Sequence, residues 1–237
     1  MHGITAFVGA VGGAGTTRLT AEAAATLARD GASVAVLDAA YATQGLADHV
    51  QGRIDPDVTA LVTEERPLEA GLVELPVDAP GRVRCCPAYA PFERLARAKT
   101  PDAAQRFERL AETAAADHDA VLLDTPPVAA NQAVAAVSVA DRVVVVTPGT
   151  TRGVDALART RDRLADVGAT VDASVATRTA ETSAADVAVP ESAVTDPGAV
   201  PVCDTSDDAF AEGVAAATEV ALGVSLDVEF DGGLLSL

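Results

Sequence analysis

The chain has 237 residues, with 35 acidic against 17 basic side chains and a formal charge of −18. Its hydrophobic share of 49% is too high for a disordered acidic tail and enough to fill a core. No run of about 18 uncharged apolar residues could span a bilayer, and Met1-His2-Gly3-Ile4 has no basic stretch ahead of an apolar one, so a soluble cytoplasmic protein without a signal peptide is expected.

Residues 4–8 predict a first strand, followed by a glycine-rich turn and a helix over 17–29 in which Leu19, Ala23 and Leu27 recur every fourth residue. Gly31 ends that helix, and residues 33–38 (SVAVLD) predict the second strand. Residues 42–80 read as short helical pieces broken by Pro56, Pro67 and Pro76. Beyond them come a strand at 82–86, a helix over 101–117 opened by Pro101, and a strand at 120–124. A helix over 129–140, a strand at 142–147 (RVVVVT), a helix over 153–167 and a strand at 170–177 continue the alternation. A short last strand is expected at 200–203 and a last helix at 207–222. Continuous β-branched runs separated by single helices mean strands covered on both faces, hence an α/β fold. The expected architecture is a mostly parallel, twisted sheet of about 7–8 strands with helices on both sides. Residues 1–223 are expected to form one domain, and 224–237 a short acidic tail. In such sheets ligands bind at the carboxyl ends of the strands, which points to the segments after Val8, Asp38, Asp124 and Thr147.

The charges are unusual in kind: all 17 cations except Lys99 are arginine, and 22 of the 35 acids are aspartate. An acidic, lysine-poor chain reads as adapted to high salt, where ions screen its self-repulsion. It offers no uniform basic face for nucleic acid. Arg159, Arg161 and Arg163 alternate with Asp155, Asp162 and Asp166, which predicts ion pairing along one helix. His2, His49 and His118 are isolated, and His118, between two aspartates, is expected in an exposed loop. Cys85, Cys86 and Cys203 have no metal-ligand spacing and are expected as small buried hydrophobes in strands. The tail, with Asp227, Glu229 and Asp231, lacks the cations of a membrane-binding helix.

The chemistry-bearing segment is the turn after the first strand, Gly9-Ala10-Val11-Gly12-Gly13-Ala14-Gly15-Thr16-Thr17-Arg18. Glycines let a backbone turn its N–H groups inward, and with a helix N-terminus they form an anion cradle. One reading is a dinucleotide fingerprint, Gly13-x-Gly15-x-x-Arg18, with Asp38 on the ribose; Arg18 then stands where close helix packing wants a small residue. The other is a mononucleotide loop.

Four segments favour the second. Gly12, Gly13, Gly15 and Thr17 match, in register, the deviant Walker A pattern Lys-Gly-Gly-x-Gly-Lys-Thr of the ParA/MinD family of P-loop NTPases, which the chain resembles over about residues 3–178. VLDAAYATQGL is similar to the family's Asp-x-Asp-x-x-x-x-Gly switch, with Asp38 and Gly45 retained. Asp124-Thr125-Pro126-Pro127 resembles its Asp-x-Pro-Pro switch, and residues 140–148 resemble the strand before its nucleotide-side loop. The resemblance implies ATP or ADP held with Mg²⁺, or no cofactor where the site has decayed. Gly12, Gly13, Ala14, Gly15, Thr16, Thr17, Arg18, Asp38 and Asp124 are the expected binding residues, and Thr17, Asp38 and Asp124 the expected Mg²⁺ side. It also implies a dimer across the nucleotide face, with itself or with an active paralogue; the acidic tail, unlike the basic helix of membrane-targeting relatives, argues against membrane contact.

The departures from the pattern are three. Val11 and Thr16 replace the family's two loop lysines, and Ala40 replaces the switch aspartate that orients the attacking water. Phosphoryl transfer depends on positioning and on cations at the phosphate oxygens. No catalytic residue is therefore assigned, and weak or absent hydrolysis is expected, with a regulatory or scaffold role in partition, division or positioning. Two alternatives stay open: a working ATPase with a substitute cation such as Arg18, and a dinucleotide-binding enzyme.

Overall fold

Strands buried on both faces form the middle of the molecule. In the computed structural model, which describes residues 3–230, β1 (Gly3–Gly9) lies between β5 (Ala120–Thr125) and β6 (Arg142–Pro148). Outward from β5 follow β2 (Ser33–Asp38), β4 (Arg82–Cys86) and β3 (Val73–Leu75); outward from β6 follow β7 (Ala173–Thr177) and β8 (Val187–Val189). The eight-stranded sheet is parallel except at β3, which runs antiparallel on one edge. This is the expected α/β architecture.

Alternation along each strand divides the core in two. Ile4, Ala6, Val8, Ala35 and Leu37 face one layer, which contains α2 (Val58–Glu64), α4 (Pro101–Asp117) and α5 (Asn131–Val139). There Tyr41 and Phe107, both fully buried, meet edge to face with ring centroids 6.4 Å apart. Phe7, Val34 and Val36 face the other layer, built on the alanine-rich α1 (Thr16–Arg29) and on α7 (Ala209–Leu222). Small side chains on α1 let it lie close to both the sheet and α7. The remaining helices are α3 (Phe92–Ala98) and α6 (Thr151–Asp166). At α6 the Thr150 hydroxyl accepts the Gly153 N–H at 3.1 Å, satisfying one orphan donor of the first turn. Thr150→Ala should cost about 1 kcal/mol in urea denaturation, with the denaturant slope unchanged.

Several expectations need correction. Residues 200–202 are irregular and lead into a turn at 203–205 rather than forming a strand, because Pro201 has no N–H and the amides of Val202 and Cys203 both donate to Glu22. Cys85 and Cys86 are buried in β4 as expected, but Cys203 is buried in that turn. The edge strands β3 and β8 and the helix α3 were not foreseen. His118 is buried, with its Nδ1 3.1 Å from the Ala114 carbonyl oxygen at the end of α4. Among the described residues no ion pair lies within α6, so Arg159, Arg161 and Arg163 stand as separate exposed cations.

The described part of the tail folds back: Phe230 packs under the Arg29 guanidinium, 5.0 Å from its ring centre, and Leu226 N–H donates to Glu219. The expected end of the tail, 231–237, lies outside the described residues. No described helix is long and apolar enough to cross a membrane.

Candidate functional site

The loop leaving β1 turns at Gly13 (φ +74°) and Gly15 (φ +87°), a backbone region that side-chain-bearing residues rarely occupy. It delivers the chain into α1 beside a cleft of about 440 Å³. Residues 12–17 line the cleft together with Ala40, Gly45, Asp124 and Pro126. Ala14 is buried beneath the loop, and the Thr16 hydroxyl sits 2.8 Å from the point where a β-carbon on Gly9 would stand. The structure thus gathers Gly12, Gly13, Ala14, Gly15, Thr16, Thr17 and Asp124 at the carboxyl edge of the sheet.

Asp124 lies at the end of β5 with neither carboxylate oxygen hydrogen-bonded, although both are buried. The Thr17 hydroxyl is near enough to favour its ionised form, yet no hydrogen bond of ordinary geometry joins them. Burial is the larger influence and lifts the Asp124 pKa to about 6. Asp38 pairs with Asp124 in the register of β2 and β5. Burial first, and the Asp124 charge second, hold the Asp38 carboxyl well above the usual range.

Asp38 and Arg18 behave differently from expectation. Asp38 is fully buried and does not line the cleft; its oxygens accept the amides of Ala40 at 2.7 Å and Ala88 at 3.0 Å. It therefore has no free face for a ribose, which removes the basis of the dinucleotide reading. Arg18 borders the cleft, but its guanidinium turns away. It meets Glu22 at 2.7 Å, Ser192 at 3.1 Å and the Val194 carbonyl at 3.0 Å, over the Phe210 ring. Among the described residues no group of three or more His, Cys, Asp or Glu side chains is arranged to hold a metal by itself.

Sequence reasoning missed Arg178, at the end of β7. Its Nη2 donates to the Gly13 carbonyl at 2.8 Å, and it lines the cleft. No local motif marks it, since it meets the loop across 165 residues of chain. A second cleft of about 230 Å³ adjoins Gly15 and is walled by Leu19, Val189, Pro190 and Phe210.

The segment after β4 is wired to Asp38 and to Asp57, the residue that caps α2. Ala88 N–H donates to Asp38, Tyr89 N–H to Asp57 at 2.8 Å, and the Gln44 amide exchanges hydrogen bonds with both backbone groups of Ala90. Outside this scaffold Tyr89 and Phe92 are 61% and 85% exposed.

No family model and no curated protein matches the chain. Solved structures do. The septum site-determining protein MinD of Pyrococcus horikoshii, complexed with Mg-ADP, superposes with a TM-score of 0.73 at 16% identity, over 92% of this chain and 94% of that one. A ParA family ATPase of Chlorobium tepidum gives 0.75 at 14%, over 92% and 99%. Cobyrinic acid a,c-diamide synthase of Mycobacterium smegmatis, with bound ATP analog and magnesium, gives 0.69 at 15%, over 95% and 100%. At such identities the likeness establishes the fold, which is that of the ParA/MinD-like P-loop NTPases.

Proposed function

We propose that this chain, a degenerate member of the ParA/MinD family, binds a nucleoside di- or triphosphate with Mg²⁺ in the cradle and acts by association rather than by turnover. One observation carries the binding half: Asp124 keeps both oxygens buried and unpartnered beside Thr17, below a loop already bent to receive an anion. A buried carboxylate without partners costs several kcal/mol. A phosphate-borne Mg²⁺, which keeps part of its water shell, supplies the missing partners. Residues 12–17 would hold the phosphates, the Thr17 hydroxyl and Asp124 would hold the ion and its waters, and the ion would neutralise phosphate charge. The apolar walls of the smaller cleft suit a base, with Leu19, Val189 and Phe210 against its faces.

The second half rests on what the cradle lacks. Val11, Thr16 and Ala40 offer neither a cation for the phosphate oxygens nor a carboxylate for a water. Loss of one comparable cation, the arginine finger, changes phosphoryl-transfer rates by about 10³–10⁵. The remaining role is regulatory or scaffolding, in partition, division or positioning, through a copy of the chain or an active paralogue across this face. A working ATPase is the second reading, favoured by Arg178 beside the loop.

Thermal melting in molar KCl tests both halves. Mg-ATP or Mg-ADP at 100 times its dissociation constant should stabilise the chain by about 2.7 kcal/mol, while NAD leaves the transition where it was. Silence from every nucleotide would end the binding half. Phosphate release above that of Thr17→Ala would end the non-hydrolytic half in favour of the second reading.

A further inference from the structure

Tyr89 and Phe92 stand in solvent where the chain leaves β4 and enters α3. Two large exposed rings on one short segment mark a contact surface. The segment that carries them is held still. Ala88 N–H is fixed on Asp38, Tyr89 N–H on Asp57, and the Gln44 amide brackets Ala90. From α3, Arg94 reaches back to Thr59 Oγ1 at 3.0 Å, Asp57 at 2.9 Å and the Tyr89 carbonyl at 3.3 Å. Rings on so fixed a base lose little freedom when they are covered. Neither ring lines the cleft beside the glycine-rich loop.

The outer face of α3 indicates what covers them. Phe92, Glu93, Ala96 and Arg97 are all exposed. Residues four apart on a helix are neighbours, so Phe92 and Ala96 form one row and Glu93 and Arg97 the row beside it. The first row sets a large group beside a small one, the second an anion beside a cation. Among the described residues neither Glu93 nor Arg97 makes an ion pair. Rows of this kind complement themselves when reversed. With a second copy antiparallel across α3, about a two-fold axis, Phe92 covers Ala96 of the copy and Glu93 meets Arg97 of the copy, each contact occurring twice. Charge favours the same place. A chain of −18 repels its copy over most of its surface, whereas residues 89–99 carry three cations and a single acid. Arg94 is committed to Asp57, and the exposed charges of α3, Glu93 and Arg97, balance.

We propose that the outer face of α3 is a self-association surface: two copies of the chain pack antiparallel across it, Phe92 of each on Ala96 of the other. Tyr89 widens the apolar contact, and the reciprocal Glu93–Arg97 pairs fix the register. The contact goes beyond the nucleotide reading and does not depend on it. Four rings of about 150–250 Å² each place the interface below the standard size. The dissociation constant is therefore on the order of 10–100 μM.

Sedimentation velocity of the nucleotide-free chain in molar KCl, over a concentration series spanning that value, tests the assignment. The wild-type chain should pass from monomer to dimer along the series. Phe92→Ala should weaken association by about 10-fold or more. Glu93→Arg or Arg97→Glu alone sets like charges together in both pairs and should weaken it by about 3- to 10-fold, while the chain carrying both changes regains the loss. All three side chains are exposed, and melting curves of the variants check that each is folded. A wild-type chain that stays monomeric throughout would overturn the proposal. So would a dimer that Phe92→Ala leaves unchanged, or a double exchange that restores nothing. None of these outcomes bears on Mg-ATP binding, which thermal melting measures separately.

Discussion

The nucleotide-free chain should be less stable at pH 8 than at pH 4.5, by about 2 kcal/mol from Asp124 alone. Burial raises the Asp124 pKa to about 6, against roughly 3.9 for an unfolded aspartate. The folded state therefore holds the proton more tightly. Stability falls as pH rises through the interval between the two values, and then levels off. Asp38, raised in the same direction by burial and by the Asp124 charge, carries the decline to higher pH. Glu69 and Asp186 shift the opposite way, the first held down by Arg84 and the second by the Ser174 hydroxyl. What they contribute is lost only below the ordinary carboxylate range, outside this interval. Asp124→Asn should remove the part of the slope that Asp124 supplies, leaving the higher-pH decline due to Asp38, and melt higher than wild type at pH 8, while its melting no longer responds to Mg-ATP. Urea midpoints at four or five pH values would show it, and an unchanged slope in the variant would mean that Asp124 is not the group that titrates.

Glu22→Ala should destabilise the chain by about 3–5 kcal/mol, lowering the melting temperature by on the order of 10 °C. Glu22 is fully buried on α1, where its carboxylate accepts Arg18 Nε at 2.7 Å and the amides of Val202 and Cys203 at 2.8 and 2.9 Å. Truncation leaves the buried Cys203 amide and the half-buried Val202 amide without acceptors and removes the anion beside Arg18, which keeps only Ser192 and the Val194 carbonyl. Arg18→Ala should cost less, because Glu22 keeps both backbone donors and Arg18 is partly solvated. The double variant should then fall short of the sum of the two single losses. Equal losses for both single variants would show that the ion pair, and not the two amides, carries the effect.

The parts of the fold legible in the sequence were those where burial dictates composition. β1, β2, β5 and β6 are apolar on both faces, and so are nearly continuous runs of small and β-branched residues. β3 and β8 have three residues each, too few for a period to register. Residues 200–203 have the composition of a strand, but their amides are already claimed by Glu22, a contact spanning 180 residues or more that no local pattern encodes. His118 was misplaced because its aspartate neighbours suggest solvent, whereas the helix end beneath it provides a carbonyl. At the site, the glycines and Thr17 were legible because backbone geometry demands those residue types. Arg18 and Arg178 were not, because the direction of a long side chain is set by what surrounds it: Glu22 attracts the first and the Gly13 carbonyl the second.

The two oxygens of Asp38 are occupied in opposite directions, one by Ala40 beside the cleft and one by Ala88 in the segment that presents Tyr89. The carboxylate is thus a fulcrum. Both amides lean on the charge of this one carboxylate. Any shift of the Ala88 backbone is felt one residue later at Tyr89, in a chain with only two Tyr and five Phe. The interior acid and the exposed aromatic rim are thus joined through a single residue, Ala88.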